Sequence, residues 1–290
     1  MSDDDDGDVG NGRLAAHGLL AKLAWALRSE AGEVRPHNED FAGAFAPTIP
    51  DDAWDRGPLF AVCDGLGGHA AGEVASRLAV TGLLDAWTTS TPGPPHKDLR
   101  TAARAANLAV YDAAMQDGKR GMGTTLTALT LCGREAVIGH VGDSRAYLVR
   151  DGRCTQLTAD HSRVGEMLRL GLLTPEQAAS HPARSQLTKS LGSDPMLQVD
   201  VVRSELATGD VFVLCSDGLW DSVGRAEIAE VASAVGTSAA PTVVQAADQL
   251  VDLALAREAP DNVTALVVKV TSDRPIPPVA ARRSLFRRAR

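Results

Sequence analysis

The sequence predicts an α+β fold in which antiparallel sheets are flanked by helices. Strand and helix patterns occur in clusters and do not alternate strictly, which is typical of antiparallel sheets with separate helices. Residues 145–150 and 154–157 are joined by Asp151-Gly152, a turn pair that favours a β-hairpin. Of the 290 residues, 44% are apolar, enough to fill the core of one large domain.

Short runs of apolar and β-branched residues, bounded by turn residues, predict the strands. The predicted strands are residues 41–46, 59–63, 124–132, 136–141, 146–149, 199–202, 211–215 and 263–270. Near-helical spacing of apolar residues, as in Val74, Leu78, Leu84 and Trp87, predicts helices. The predicted helices are residues 73–87, 99–116, 226–235 and 242–258, with the Pro-Gly-Pro-Pro run at 92–95 between the first two.

An insertion at residues 158–190 fits neither period well and is predicted to be a helical flap. It contains a helical pattern at 164–170 and then Thr174-Pro-Glu-Gln, in which Thr174 and Gln177 have capping-box spacing. A helical segment between two core strands is a candidate mobile element. We expect partner specificity to lie in this flap and in nearby loops.

The two ends of the chain differ in charge. Residues 1–20 are predicted to be an acidic, disordered tail, residues 21–271 the folded domain, and residues 272–290 a basic tail that contains Pro and Arg. The basic tail is either a solvated end or a docking segment for an acidic partner or a membrane surface.

Composition argues against several classes of protein. The formal net charge of −8 is against nucleic-acid binding, because the body of the chain supplies no broad basic surface. The four cysteines form no Cys-x-x-Cys pair and are interpreted as free thiols in a reducing cytosol. There is no secretory signal and no apolar run of roughly 18 residues, so we expect a cytoplasmic protein without a transmembrane segment.

Four aspartates stand at the ends of predicted strands: Asp64, Asp143, Asp217 and Asp261. A single aspartate there is ordinary turn chemistry, but four on separate strands can meet where the ends of a sheet converge. Hard cations such as Mg²⁺ and Mn²⁺ prefer oxygen ligands and keep several waters, so a few carboxylates suffice to bind them. The pattern therefore predicts a site for divalent cations.

Two motifs are ambiguous when each is taken alone. Asp64-Gly65 follows an apolar strand and is either a structural turn or a ligand loop to which the Gly65 carbonyl contributes. Upstream, Arg35 precedes Glu39 and Asp40, and it is either part of an ordinary ion pair or a fork for phosphate oxygens.

The motifs occur in one order: Arg35-x-x-Asn38-Glu39-Asp40, Asp64-Gly65-x-Gly67-Gly68, Gly123-Thr124-Thr125, Val141-Gly142-Asp143-Ser144-Arg145, Ser216-Asp217-Gly218 and Asp261-Asn262. This order and spacing closely resemble the metal-dependent type 2C family of serine/threonine protein phosphatases, in its bacterial form. The resemblance extends from about residue 29 to residue 270, which is most of the chain.

The resemblance implies a fold, a cofactor and a reaction. The fold would be a four-layer α-β-β-α sandwich of two antiparallel sheets flanked by helices. Members of the family bind two Mn²⁺ or Mg²⁺ ions, and bacterial relatives often bind a third, weaker one. The reaction is hydrolysis of phosphoserine and phosphothreonine in proteins, by attack of a metal-bridging water or hydroxide on phosphorus. The implied partners are phosphorylated proteins, substrates of a serine/threonine kinase in signal transduction, and we expect a monomer.

The resemblance also implies which residues bind the ions. Asp64 matches the carboxylate that bridges two ions, and Asp217 and Asp261 match the other ligands of the first ion. The Gly65 carbonyl matches a ligand of the second ion. Asp143, together with Asp217, would bind the third ion.

Three further residues have implied roles around the ions. Glu39 and Asp40 would hold waters of the second ion. Arg35 matches the residue that receives the substrate phosphate, and its fork of N–H donors suits phosphate oxygens. These assignments convert a general cation site into one for phosphate hydrolysis.

One position departs from the family pattern. Many eukaryotic members have a histidine after the Asp-Gly pair, a proposed general acid, whereas this chain has Leu66, which cannot donate a proton. Either a metal-bound water serves instead, or His69 or His37 reaches the site. His69 is interpreted first as a structural or rim residue.

Other polar residues near the motifs receive structural interpretations first. Thr124 and Thr125 are expected to shape the strand start beside the site, and His140 to be a core histidine with satisfied hydrogen bonds. Ser144 and Ser216 adjoin acids but no paired histidine, so a serine nucleophile is not expected. No Cys-x₅-Arg cradle occurs, which argues against a covalent phosphocysteine.

Two alternative functions remain open. A partner-switching regulator would direct the same chemistry at one small phosphoprotein, and the catalytic motifs cannot distinguish it. A pseudophosphatase would keep the fold and bind a partner without turnover. Such chains usually lose metal ligands, whereas this one retains Asp64, Asp217 and Asp261.

Overall fold

Two antiparallel β-sheets form the centre of the structure, a computed structural model that describes residues 13–20, 22–46, 56–67, 70–116, 121–236 and 242–272. In chain order the strands are β1 (Leu14–Leu20), β2 (Leu23–Glu30), β3 (Phe41–Phe45), β4 (Leu59–Cys63), β5 (Gly65–Leu66), β6 (Gly123–Thr124), β7 (Leu126–Cys132), β8 (Glu135–Val141), β9 (Arg145–Arg150), β10 (Arg153–Gln156), β11 (Asp200–Glu205), β12 (Val211–Cys215) and β13 (Val263–Val270). The helices are α1 (Ala70–Thr89), α2 (Pro95–Ala114), α3 (Arg163–Arg169), α4 (Pro175–Ala179), α5 (Asp217–Ser222), α6 (Arg225–Ala234) and α7 (Val243–Leu255).

The strands are arranged in two main sheets. One has six strands in the order β1-β2-β13-β12-β9-β10, and the other has five in the order β11-β8-β7-β4-β3. A short antiparallel pair is formed by β5, which comes directly after β4, and β6, which comes directly before β7. Helices α1 and α2 pack on the five-stranded sheet, and α6 and α7 pack on the six-stranded one. The α+β class and the four-layer α-β-β-α sandwich are therefore confirmed.

Three apolar layers hold the sheets and helices together. Between the sheets, Phe60, Leu129 and Ile138 face Phe212 and Leu266, and all five side chains are fully buried. Two further layers lie under α1 and α2 and under α6 and α7. Full burial of such side chains contributes roughly 1.5–3 kcal/mol each. The core therefore fixes the strand ends from which the functional loops extend.

Most predicted elements are present, with shifted ends. Helix α2 begins four residues earlier than predicted, at Pro95, because proline is tolerated in the first turn of a helix. In the predicted flap, α3 spans Arg163–Arg169, and Thr174 and Gln177 form the expected capping box. The short helix α5 was not predicted, since six residues are too few to show a helical period.

The predicted N-terminal boundary was wrong. Residues 14–20 were assigned to the acidic tail, but they form β1 and pair along their whole length with β2. Burial alternates along this edge strand, but apolar Ala15 and Leu19 occupy exposed positions, so its sequence shows no alternation of apolar and polar residues. Its position depends on β2, which pairs with the distant strand β13. Residues 1–12 and 273–290, which include the rest of the predicted tails, lie outside the described residues.

Membrane insertion was not expected from the sequence. Within the part of the chain that the structure describes, no helix combines the length and the apolar character needed to cross a bilayer.

Candidate metal centre and active site

A cavity of about 490 Å³ lies where strand ends of both sheets converge. Strand β4 ends before this cavity, as do β8 and β12, and β13 begins beside it. The predicted site residues that line the cavity are Arg35, Glu39, Asp64, Gly65, Asp143, Asp217 and Asp261. The expected convergence of four strand-end aspartates is therefore observed.

Asp64 is held by two threonines from the β6–β7 segment. The Thr125 hydroxyl accepts a hydrogen bond from the Asp64 amide at 2.9 Å, and the Thr124 hydroxyl donates to the Asp64 carbonyl at 2.8 Å. The Thr125 amide donates to the same carbonyl at 2.9 Å. Thr125 Oγ1 also lies 2.6 Å from Ser144 Oγ, beside Asp143. The two threonines therefore shape the site, as predicted, by fixing the main chain of Asp64.

Asp217 is the first residue of α5 and follows the fully buried strand β12. Its Oδ1 atom is buried and has no hydrogen-bond partner among the described residues. An unpartnered buried acceptor costs roughly 1–3 kcal/mol, and more when it is charged. Burial, followed by the charges of Asp261 and Asp221, raises the pKa of Asp217 to about 6. A cation beside Oδ1 would offset both the cost of burying this unpartnered oxygen and the repulsion from the neighbouring carboxylates.

The neighbouring carboxyl groups are perturbed in the same direction. Burial, followed by the charge of Asp217, raises the pKa of Asp64 well above its usual range. Burial and then Asp217 raise the pKa of Asp143 to about 8, although Arg145 opposes the change. Carboxyls in this arrangement ionise together at neutral pH only when positive charge is placed near them. The hard oxygen donors fit Mn²⁺ or Mg²⁺.

The carboxylates line one cavity but are not gathered into a chelating cluster. Among the described residues, no three acidic, histidine or cysteine side chains stand in chelating positions. At the rim, Asp261 Oδ2 instead accepts a hydrogen bond from Arg35 Nη2 at 2.7 Å. An exposed ion pair of this kind contributes about 0–1 kcal/mol. Asp261 can therefore exchange Arg35 for a cation at little cost.

Asn262 fastens the loop before β3 to the cavity. Its Oδ1 accepts a hydrogen bond from the Glu39 amide at 2.8 Å, and its Nδ2 donates to the carbonyls of Ala31 and His37 at 2.9 Å. The Glu39 carbonyl in turn accepts from the Gly65 amide at 3.1 Å. From the sequence we gave Asn262 no role of its own. The signal was present, because an amide side chain next to a candidate ligand can bind two main-chain segments at once.

Asp40 differs from the other predicted site residues because it does not line the cavity. Its buried carboxylate accepts hydrogen bonds from the hydroxyls of Ser216 and Thr264, both at 2.6 Å to Oδ2. Burial raises the pKa of Asp40 to about 8, against the effect of the two hydroxyls, and the charges of Asp217 and Asp261 add to the rise. The role of Asp40 in holding ion-bound waters stays a prediction.

Gly65 allows an approach of main-chain segments that a side chain would prevent. A Cβ atom at this position would lie 2.2 Å from the Gly72 carbonyl oxygen and 2.6 Å from the Glu39 carbonyl oxygen. Both distances are far inside van der Waals contact, so glycine is required here. Gly65 lines the cavity, where its carbonyl is a candidate cation ligand.

The candidate proton donors are unequally placed. Leu66 lines the cavity, so an apolar side chain occupies the position of the family histidine. His37 also lines the cavity and is exposed, whereas His69 lies outside the described residues.

Cys63 and Cys215 are fully buried, and burial raises the pKa of both thiols far above neutrality. Neither thiol is suited to nucleophilic attack.

His140 is a core histidine with satisfied hydrogen bonds, as predicted. One ring nitrogen lies 3.0 Å from Thr127 Oγ1 and the other 3.2 Å from the Ala159 carbonyl. Burial, followed by the neighbouring His161, lowers its pKa to about 4, so it stays neutral.

Two side chains beside Asp143 were missed. The indole Nε1 of Trp220 donates to the Asp143 carbonyl at 3.0 Å, and His161 Nδ1 accepts from the Gly142 amide at 3.1 Å. They come from α5 and from the start of the flap, so their proximity to Asp143 results from the fold and has no local sequence signal.

The flap contributes directly to the cavity. Ser185 and Leu187, in its returning arm, are lining residues. The adjacent Arg184 forms an exposed ion pair of 3.1 Å with Asp221 in α5. The flap predicted at residues 158–190 is therefore in contact with the carboxylate site.

Comparisons with known proteins agree with this geometry. Residues 48–256 match the family model described as protein phosphatase 2C. The serine/threonine protein phosphatase PstP of Mycobacterium tuberculosis is 40% identical over 251 residues, which are 86% of this chain and 45% of that protein. The serine/threonine phosphatase stp of Listeria innocua is 36% identical over 249 residues, which are 84% of this chain and 94% of the relative.

Solved structures show the same architecture. The crystal structure of the Mycobacterium tuberculosis phosphatase PstP/Ppp matches with a TM-score of 0.74 at 38% identity, over 87% of this chain and 100% of that one. The catalytic domain of PstP in complex with two manganese ions matches with a TM-score of 0.73 at 37% identity, over 87% and 99% of the two chains. The chain thus spans less than half the length of the whole PstP protein that it matches. Because the family match extends over more than half of the residues and includes three of the four cavity aspartates, this chain belongs to the protein phosphatase 2C family.

Proposed function

We propose that the chain is a Mn²⁺- or Mg²⁺-dependent phosphatase that hydrolyses phosphoserine and phosphothreonine in proteins. The main support is the meeting of four aspartates in one cavity with Arg35 at its rim. Carboxylates alone would indicate only a site for hard cations. The arginine adds a fork of N–H donors that suits phosphate oxygens.

The proposed ion ligands are Asp64, Gly65, Asp217 and Asp261, with Glu39 and Asp40 holding bound waters. Asp64 would bridge two ions, Asp217 and Asp261 would complete the first, and the Gly65 carbonyl would belong to the second. When bound, such ions lower the pKa of a coordinated water so that hydroxide is available near neutral pH, and they offset negative charge on the phosphate. The unpartnered Oδ1 of Asp217 is the observation on this chain that supports the assignment most directly.

Asp143 is proposed as a ligand of a third, weaker ion together with Asp217. Both residues line the cavity, and after burial the charge of Asp217 contributes most to the raised pKa of Asp143. A third ion held by these two residues would offset the repulsion between their carboxylates.

Arg35 is proposed to bind the substrate phosphate. Its guanidinium is half-exposed at the rim and at present bonds Asp261. If Asp261 held a cation instead, the guanidinium fork of Arg35 would be free to donate to two phosphate oxygens. Arg35 would thereby orient the phosphate and stabilise the charge that develops during its transfer.

The leaving alkoxide needs a proton, and Leu66 cannot provide one. We propose that water supplies it unless His37 or His69 reaches the substrate. The comparison of wild type with His37→Ala and with His69→Ala on a substrate with a poor leaving group distinguishes these possibilities. A histidine that donates the proton will change the alkaline limb of the pH–rate profile, whereas a structural histidine will not.

The proposed substrates are phosphoproteins made by a serine/threonine kinase, and the proposed state is a cytoplasmic monomer. A regulator dedicated to one phosphoprotein is a second possibility, supported by the contact of Ser185 and Leu187 with the cavity. An exchange of residues 158–190 with those of a relative tests it. Unchanged peptide preference after the exchange would refute a flap-determined specificity.

A pseudophosphatase is disfavoured because all four cavity aspartates are retained.

Phosphate release from a phosphothreonine peptide tests the proposed activity. We expect release that needs Mn²⁺ or Mg²⁺, stops when a chelator is added and is abolished in Asp217→Asn. The exposed Asp112 in α2 provides a matched control, because Asp112→Asn makes the same chemical change at a residue that does not line the cavity. Metal-independent release, or full activity in Asp217→Asn, would refute the proposal.

A further inference from the structure

His161 lies at the junction of the flap and the Gly142–Asp143 turn, and its side chain is almost fully buried. The Gly142 amide donates to His161 Nδ1 at 3.1 Å, and the His161 amide donates back to the Gly142 carbonyl at 2.7 Å. The residue before Asp143 is therefore bonded to His161 through both of its main-chain polar groups.

The other ring nitrogen of His161 has a different partner. Because Nδ1 accepts a hydrogen bond from an amide, the ring proton must be on Nε2. Nε2 lies 3.1 Å from Asp200 Oδ2 at the start of β11, so it donates to this carboxylate. The second oxygen of Asp200 accepts from Lys189 Nζ at 3.3 Å, at the end of the flap. The imidazole thus joins the Gly142 turn to the five-stranded sheet in one defined tautomer.

The main chain of His161 also closes the base of the flap. Its carbonyl accepts a hydrogen bond from the Thr188 amide at 2.8 Å. Two residues later in the chain, the Arg163 amide donates to the Gln186 carbonyl at 2.8 Å. The incoming and returning arms of the flap are therefore paired at this point. Leu187, between the two bonded positions of the returning arm, lines the cavity.

The turn has little freedom to find another position. Gly142 has a φ of +104°, and a Cβ atom there would lie 2.6 Å from Thr125 Cγ2, the threonine that holds Asp64. On the other side, Trp220 bonds the Asp143 carbonyl. His161 therefore completes a set of contacts that begins at the Asp64 strand and ends in the flap.

We propose that His161 is a positioning residue that couples the flap to the Asp143 turn. The inference rests on the proposed function in that Asp143 and the flap arm act on ion and substrate. Loss of the imidazole would remove its bonds to the Gly142 amide and to Asp200, so the paired flap arms would no longer be anchored by this side chain to the turn and to β11. Substrate binding would then weaken more than turnover at saturation, because the flap arm that His161 supports lines the cavity, whereas His161 itself is not a lining residue.

Two variants separate the two ring nitrogens. His161→Ala removes both bonds. His161→Asn keeps an acceptor near the position of Nδ1 but is too short to reach Asp200. His140→Asn is the matched control, since this buried ring has its centroid 4.9 Å from that of His161, tilted by 30°, but bonds Thr127 and Ala159.

Hydrogen–deuterium exchange of the Gly142 amide, divided by exchange of the Ala128 amide in the core strand β7, is the first measurement. The ratio cancels any general loss of stability. We expect His161→Ala to raise it about tenfold, the usual factor for one lost buried hydrogen bond. His161→Asn should restore most of the protection, and His140→Asn should leave the ratio unchanged. Equal acceleration of both amides in His161→Ala would overturn the proposal.

Kinetics on two substrates are the second measurement. For a phosphothreonine peptide that contacts the flap, His161→Ala should raise KM several-fold more than it lowers kcat, and His161→Asn should recover KM. For a small aryl phosphate, KM should change little. Equal KM changes for both substrates would also overturn the proposal. Exchange needs no turnover, so it decides the role of His161 even if the phosphatase assays fail.

Discussion

Asp217→Asn should stabilise the metal-free protein while abolishing activity. The Asp217 carboxyl has its pKa raised from a usual value of 3.8 to about 6 by burial, then by Asp261 and Asp221. A rise of about two units, at about 1.4 kcal/mol each, corresponds to roughly 3 kcal/mol of destabilisation when the group is ionised. Loss of a favourable charge at the start of α5 removes about 0.5 kcal/mol from the gain. Relaxation of the cavity lowers the gain further, so we expect Asp217→Asn to raise the free energy of unfolding of the metal-free protein by about 1–3 kcal/mol.

The sign of the pH dependence follows from the direction of the shift. A carboxyl whose pKa is higher in the folded state favours folding while it is protonated, below about pH 4, and this contribution is lost as the pH rises through about 6. The advantage of Asp217→Asn should therefore be largest above pH 6 and vanish near pH 4. For a chain of this length, about 1–3 kcal/mol corresponds to roughly 3–9 °C in Tm.

Thermal unfolding with a chelator at pH 7.5 and at pH 4 measures this effect, with Asp112→Asn as the control. With saturating Mn²⁺ at pH 7.5, the wild type should instead have the higher Tm, because it gains stability from bound Mn²⁺ that Asp217→Asn lacks. A lower Tm for Asp217→Asn in chelator at pH 7.5, or an equal increase at both pH values, would refute the proposed repulsion among the cavity carboxyls.

Three other substitutions test single contacts. Arg35→Lys should reduce kcat/KM on a phosphopeptide by about 10²-fold, because an ammonium lacks the planar fork. The free energy of unfolding, measured with denaturant, should change by less than about 1 kcal/mol. An unchanged kcat/KM would contradict the proposed binding of phosphate by Arg35. Gly65→Ala should lower the free energy of unfolding by at least about 2 kcal/mol through the 2.2 Å clash, measured against Gly82→Ala in α1, where an added Cβ meets no atom closer than 3.5 Å; equal losses would show that the clash is relieved. Thr125→Val should cost about 1–3 kcal/mol and weaken Mn²⁺ binding in calorimetry, because the Asp64 amide loses its acceptor; wild-type Mn²⁺ affinity would exclude a positioning role for the hydroxyl.

The fold was predictable where local patterns are strong. The runs 59–63 and 211–215 are continuously apolar, 263–270 is apolar except for Thr264 and Lys269, and the structure has strands with the same bounds. Strand β1 was missed because it lies at a sheet edge and gains its order by pairing with β2. Periodicity reports burial of one face only when the exposed positions are polar, and β1 has apolar Ala15 and Leu19 at exposed positions.

The site was predictable to the extent that its residues stand in short motifs. Asp64, Asp143, Asp217 and Asp261 each follow or precede an apolar strand, so the convergence of strand ends could be inferred. The hydrogen bonds that hold them could not. Trp220 and His161 reach the Asp143 turn from α5 and the flap, and only the packing of these elements brings them there. The difference between cavity-lining Glu39 and buried Asp40 likewise depends on side-chain direction, which adjacent sequence positions do not reveal.

The initial rate of phosphate release from a phosphothreonine peptide, during titration of Mn²⁺ into chelator-treated protein, tests the central claim most directly. For the wild type, we predict a rate that rises from background to saturation and returns to background when the chelator is restored. Asp64→Asn should show no rise at any Mn²⁺ concentration, because the proposed bridging carboxylate is absent. Release that persists in chelator, or a normal titration for Asp64→Asn, would contradict a metal-dependent phosphatase centred on Asp64.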